Sequence, residues 1–273
     1  MHLHPIQRCG VTIFVCNHPE WAGVNHGFST RLGGCSPSPL DYLNLGANRG
    51  DTPENVRENF RRFQRAIGAR PDAPLVKNHQ AHTARVRTVT FTDAISDLAL
   101  NGDTDADALV TNCPGLCLTA FSADCIPILF YDPVQKVVGA AHAGWRGTAQ
   151  GIAAATVQTM SAQYHCDPQN ILAAIGPGIG SCCFETHCDV PDALKQSLGK
   201  AAQPLIRPVG KEKFLVDLKA ANVEFLLQAG LKAEHLAVSD QCTACHPELF
   251  WSHRILGNQR GSMAAMIQLS TEQ

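Results

Sequence analysis

The stretch Ala106–Gly147 limits most strongly what this chain can fold into. Two apolar strand-like runs, Ile126–Tyr131 and Val137–Ala141, are separated by an Asp132-Pro133 turn. Each has a reactive side chain at its edge. Cys125 lies just before the first run, between Asp124 and Ile126-Pro127. His142 lies just after the second, ahead of Ala143-Gly144-Trp145-Arg146-Gly147. Pairing the runs as a hairpin, or as neighbours, brings thiol and imidazole together. Such a convergence suits zinc or copper, or a Cys-His nucleophile pair.

The partners are narrowed by charge. With 22 basic and 24 acidic residues the formal net charge is −2, and no basic cluster exceeds Arg61-Arg62. Nucleic acid and acidic membranes are therefore not expected partners. No apolar run reaches a membrane span, and Met1-His2-Leu3-His4-Pro5 does not resemble a leader, so a cytoplasmic protein is expected. Twelve cysteines are many for that compartment. Most stand in apolar surroundings, such as Cys16 and Cys117, and are expected to pack as small hydrophobes while one or two do chemistry.

Val11–Cys16 and Asn25–Arg31 read as strands, and Leu32–Pro39 as a loop. Thr52 caps a helix with Pro53 in its first turn. Val56, Phe60, Phe63 and Ile67 form its apolar face, and Gly68 closes it. Leu75–His82 enters a strand that resumes at Arg85–Phe91. His79 and His82 project to opposite faces unless the backbone bends. Asp93–Asp107 reads as an acidic, solvated loop.

A helix over residues 147–164 follows the central stretch. Its N-terminus with Arg146 is either an anion site or a plain helix start. Ile171–Ile175 is a buried strand leading into glycines that match no phosphate-binding motif. Pro191–Leu198 reads as a helix and Phe214–Val216 as a strand. A helix from Asp217 to Gln228, the strand Leu236–Val238, and final strands at Phe250–Arg254 and Met263–Leu269 complete the chain. Cys242-Thr243-Ala244-Cys245 is half of a zinc knuckle with no second half after it, so a structural zinc is not expected. Nothing divides residues 1–273, and one α/β domain of mixed strands and flanking helices is expected.

Several blocks occur together in order: His26-Gly27-Phe28-Ser29-Thr30-Arg31, Asn44-Leu45-Gly46, Gln80-Ala81-His82, Asp105-Ala106-Asp107-Ala108, Ala123-Asp124-Cys125-Ile126-Pro127, Ala141–Gly147, Cys182-Cys183-Phe184-Glu185, and Cys242-Thr243 with Cys245. Over nearly the whole length they resemble the YfiH/YlmD laccase-domain family, also called the multicopper polyphenol oxidase family.

The resemblance implies an α/β sandwich with a mixed sheet, similar to the cytotoxic deamidase toxins. It implies a metal held by His82, Cys125 and His142. It also implies phosphorolysis of adenosine, inosine, guanosine and S-methyl-5′-thioadenosine with inorganic phosphate, and adenosine deamination. The older reading is copper-dependent oxidation of polyphenols. Multi-electron oxidation needs clustered histidine pairs, and the only His-x-His here is His2-Leu3-His4. Three ligands with an open position suit one zinc and one water instead.

The cytidine-deaminase signature is absent, which leaves Asp124 as the expected acid/base. Arg146, Arg31 and Asn44 are the expected substrate-binding residues. A metal-free Cys-His hydrolase and a non-catalytic metal or redox module remain alternatives, as do monomer and homodimer. The family's usual Thr-Gly-Arg before the last strand is replaced here by Arg260-Gly261-Ser262.

Overall fold

The protein is described from a computed structural model, over residues 1–271. In chain order its strands are β1 (Leu3–Arg8), β2 (Val11–Cys16), β3 (Val24–Ser29), β4 (Leu75–Val76), β5 (Val86–Thr88), β6 (Ala108–Thr111), β7 (Cys117–Ser122), β8 (Ile126–Asp132), β9 (Val137–Ala143), β10 (Leu172–Ile175), β11 (Glu185–Thr186), β12 (Ile206–Pro208), β13 (Phe214–Val216), β14 (Leu236–Val238) and β15 (Met263–Leu269). The helices are α1 (Pro53–Ile67), α2 (Trp145–Ala149), α3 (Ile152–Tyr164), α4 (Asp189–Leu198), α5 (Leu218–Gln228) and α6 (His253–Leu256).

Two mixed six-stranded sheets run in the orders β1-β2-β3-β15-β7-β4 and β14-β10-β8-β9-β6-β5, beside a small sheet β11-β13-β12. Side chains alternate across a strand, and the packing follows that rule. Leu129, Tyr131, Val138 and Ala140 of the second sheet share a core with Phe28, Ala120 and Ala265 of the first. Ile128, Phe130, Val137 and Ala141 point the other way, against Val157 and Met160 of α3 and Leu226 of α5. On the far side of the first sheet, Phe60 and Phe63 of α1 pack on Ile13 and Met266. The order of layers is helix, sheet, sheet, helices, a mixed α/β fold. β8 and β9 are buried on both faces, which is why both read as continuous apolar runs.

Helix α1 has the expected ends. The Thr52 hydroxyl accepts from the Asn55 N–H, and Gly68 closes the helix in the left-handed region.

Three elements differ from the sequence expectation. The helix over residues 147–164 is two helices, because Gly151 adopts φ 77 between α2 and α3. The strand expected from Leu75 onward is cut to β4. The chain then leaves the first sheet and joins the second as β5, carrying His79 and His82 in the crossover. Phe250–Arg254 is not a strand. Phe250 and Trp251 are buried, and Ser252 then caps α6 by accepting from the Ile255 N–H.

Candidate metal centre and active-site cavity

β8 and β9 pair antiparallel, with Pro127 opposite His142 and Ile126 opposite Ala143. That register brings Cys125 to His142, as the hairpin reading expects, although His142 lies inside β9 rather than after it. His82 arrives from the crossover between the sheets, where φ 59 supplies the required bend. The ligand atoms of His82, Cys125 and His142 all lie within 4.8 Å of one another. Gly144 makes the approach possible: a Cβ there would sit 2.4 Å from His82 Nδ1 and 3.2 Å from Cys125 Sγ.

Asp107 organises two of the three candidate ligands. It was expected within a solvated acidic loop, but it is buried at the start of β6. Its Oδ1 lies 2.8 Å from His142 Nδ1 and accepts from the His82 N–H at 3.1 Å. Its Oδ2 accepts from the Thr83 N–H at 2.7 Å and the Thr83 hydroxyl at 2.8 Å. Its backbone carbonyl accepts from the His142 N–H at 2.7 Å. With Nδ1 so engaged, Nε2 is the nitrogen of His142 free to coordinate. A carboxylate behind a ligating histidine is a recurrent feature of metal sites. The neighbouring Gln80 pins the crossover to β7, since its Oε1 accepts from the Phe121 N–H at 2.6 Å and its Nε2 donates to the Phe121 carbonyl at 2.9 Å.

Burial works against the His142 imidazolium, yet Cys125 and the Asp107 carboxylate outweigh it and hold the ring pKa up at about 9. Burial and the charge of His142 push His82 down. Asp107 is held below the usual carboxylate range: burial opposes its ionisation, but the bonds from His142 and Thr83 prevail.

Two imidazoles and a sulfur, with one histidine backed by a carboxylate, could hold a metal ion with three protein ligands. Tetrahedral donors stand about 3.3–3.8 Å apart, within reach by side-chain adjustment. Replacing Asp107 by asparagine keeps the shape and removes the charge. We expect metal affinity to fall by about 10–100-fold in a competition titration with a chromophoric chelator. Unchanged affinity would show that Asp107 is not coupled to the centre.

The cluster opens into a cavity of about 680 Å³, a volume suited to a small-molecule ligand. Phe121, Trp145 and Phe184 give it apolar walls, and Arg49, Arg254 and Arg260 bring positive charge. Arg260 Nε is buried without a partner. Burial and the like charge of Arg49 pull the Arg260 pKa down to about 10. Two guanidinium groups that repel each other in one cavity favour a bound anion.

The other expected site residues are placed differently. Asp124 lines the cavity, but its Oδ1 accepts from the Thr243 hydroxyl at 2.6 Å and its Oδ2 from the Arg254 N–H at 2.7 Å. These bonds hold Asp124 at φ 91 immediately before Cys125. That strained region costs a non-glycine residue about 1–3 kcal/mol, so the carboxylate serves to hold the turn.

Arg146 does not line the cavity. It is exposed, with its guanidinium 4.3 Å from the Trp145 ring, on a helix of only five residues. Arg31 stacks on Trp251 at 3.7 Å and donates to the Asp41 and Pro247 carbonyls. Asn44 is buried and bonded to Gly46, Asp51 and Ser262. Asn44 braces the wall through Gly46 and Ser262, and neither Asn44 nor Arg31 lines the cavity. His79 does line it, exposed, paired with Asp105 at 2.7 Å and outside the donor cluster.

Sequence reasoning missed Asp107, Arg49 and Arg260. For Asp107 the available signal was its place directly before a buried strand. It also missed a second cluster, Cys182, Cys183, Cys242 and Cys245. The missing half of the knuckle precedes Cys242 in the chain instead of following it.

The family described as multi-copper polyphenol oxidoreductase laccase matches residues 25–270. A protein named purine nucleoside phosphorylase YlmD from Geobacillus stearothermophilus is 38% identical over 255 residues, covering 92% of both chains. Purine nucleoside phosphorylase YfiH from Escherichia coli is 36% identical over 254 residues, covering 92% of this chain and 97% of that one. The crystal structure of YlmD from Geobacillus stearothermophilus superposes with a TM-score of 0.90 at 36% identity, over 97% of this chain and 98% of that one. A match across this length and at this identity, with the same fold, establishes that the chain belongs to the laccase-domain family of the YfiH and YlmD proteins.

Proposed function

We propose that this chain is a purine nucleoside phosphorylase for adenosine, inosine, guanosine and S-methyl-5′-thioadenosine, with adenosine deaminase activity at the same site. The observation that carries this reading is one cavity joining the His82–Cys125–His142 donors to the Arg49–Arg260 pair, flanked by aromatic walls. The names of the YlmD and YfiH relatives support it.

In phosphorolysis the bond from ribose C1′ to the purine nitrogen breaks. An oxygen of hydrogen phosphate bonds to C1′, and the proton that the phosphate gives up ends on the leaving nitrogen. Arg260 and Arg49 bind and orient the phosphate by charge-assisted hydrogen bonds. Phe121, Trp145 and Phe184 offer flat apolar surface to the base and exclude water. Asp107 orients the His142 ring and holds the backbone of His82, and Asp124 fixes the turn carrying Cys125. Zinc bound by His82, Cys125 and His142 would supply Lewis-acid polarisation and a lowered pKa for water, as deamination requires. Copper fits the same donors. Among the described residues only one potential metal cluster contains histidine, which favours this chemistry over multicopper oxidation of polyphenols.

Purified protein should be incubated with adenosine, with and without phosphate, and the products identified. Adenine with ribose 1-phosphate, formed only with phosphate, is expected, together with inosine in both arms. Formation of neither product would overturn the proposal. Activity that survives a chelator but is lost on thiol alkylation would instead indicate a metal-free Cys-His hydrolase.

A further inference from the structure

We propose that Cys182, Cys183, Cys242 and Cys245 form a tetrathiolate site for one zinc ion, separate from the catalytic centre. The zinc clasps the segment after β10 to the segment after β14. The four sulfurs lie within 4.8 Å of one another. Cys245 Sγ is 3.5 Å from Cys182 Sγ and 3.4 Å from Cys183 Sγ. Zinc–sulfur bonds of about 2.3 Å place tetrahedral sulfurs about 3.8 Å apart, whereas a disulfide needs about 2.05 Å. An all-sulfur donor set selects soft cations, and zinc takes four thiolates as a closed structural site.

The surroundings are built for charged sulfur. The Gly180 N–H donates to Cys242 Sγ at 3.1 Å. A Cβ on Gly180 would stand 3.1 Å from Cys182 Sγ and 3.4 Å from Cys242 Sγ, so the loop backbone packs closely against both sulfurs. Lys219 is buried, and its Nζ donates to the Ser239 and Gln241 carbonyls. Its Nζ thus sits at the carbonyl of the residue before Cys242, and no carboxylate among the described residues forms a salt bridge with it. A zinc with four thiolates carries a net −2, and Lys219 offsets part of it.

The clasp bears on the cavity. Among the described residues, the two segments are also joined by the bridge between Gly178 and Cys242 and by a small apolar cluster around Ile179 and Ala244. Between the two knuckle cysteines, Thr243 donates its hydroxyl to Asp124. From the other segment, the Ile179 N–H donates to the Asp124 carbonyl at 2.7 Å. Ile179 and Phe184 both line the cavity. The site thus steadies the wall from which Asp124 presents Cys125, and its cysteines are positioning residues.

The test counts metal in whole protein purified with reductant. A Cys125→Ala variant, which disables the catalytic centre, should still hold one zinc per chain. Adding Cys182→Ser and Cys245→Ser should remove it. Cobalt(II) added to metal-stripped Cys125→Ala protein should give tetrahedral d–d bands and intense sulfur-to-cobalt charge transfer. That spectrum reads the site without disturbing any of the four cysteines. No zinc in the Cys125→Ala protein together with no thiolate charge-transfer band would overturn the proposal. So would zinc fully retained after the two serine changes, a bound iron chromophore in place of zinc, or mass-spectrometric detection of a disulfide among the four. Because these readouts are metal content and spectrum, a failed nucleoside assay leaves the result interpretable.

Discussion

Cys125→Ala is expected to lower turnover of every nucleoside substrate by at least about 10³-fold, equivalent to about 4 kcal/mol in the barrier. One equivalent of metal should be lost with it. The thiol is the only sulfur donor in the His82–Cys125–His142 cluster. It sits half-buried at the end of a turn whose backbone is fixed by Asp124, Thr243 and Arg254. Truncating it therefore removes a ligand without opening a core cavity, and circular dichroism should be unchanged. Extracting metal from the unaltered protein should reproduce the loss, and added zinc should reverse it. Full turnover with full metal content in Cys125→Ala would sink the assignment of the centre.

Arg260→Met should act on phosphate in particular. A lost charge-assisted hydrogen bond is worth about 1.5–3 kcal/mol, so the KM for phosphate should rise by roughly 10–150-fold. With adenosine at subsaturating phosphate, products should shift from adenine toward inosine. Methionine keeps much of the apolar stem and removes the repulsion on Arg49, so the fold is not expected to suffer. A KM for phosphate that stays constant while kcat falls would place Arg260 away from the anion and return it to the wall.

The parts of this fold legible in the sequence were those fixed by local chemistry. Thr52, Pro53 and Gly68 bracket α1, and its apolar residues repeat at the helical period. The β8 and β9 runs announced themselves by unbroken apolarity, and their pairing brought Cys125 to His142. Phe250–Arg254 looked like a strand because Phe and Trp favour strands. Those rings instead fill the core between the sheets, and the Ser252 cap turns the chain into α6.

What stayed hidden depended on distant partners. Asp107 resembled its acidic neighbours, and only cross-strand pairing with β9 shows it behind His142. Arg146 next to a helix start was a reasonable anion ligand by sequence, but its exposed side chain lies over Trp145 and does not line the cavity. The arginines that line the cavity are Arg49, Arg254 and Arg260, all distant from Arg146 in the chain. The Cys182-Cys183 pair completes Cys242 and Cys245 across an interval that no short motif spans.

The β8–β9 hairpin keeps its chemistry and its reversal at opposite ends. Cys125 and His142 stand at one end, while Val134, 63% exposed, marks the other. At about 3.3 Å per residue, the two are roughly 20 Å apart. An affinity tag or fluorophore spliced in at the reversal would report on the molecule from a distance, sparing both the mouth of the cavity and the pairing that aligns its ligands.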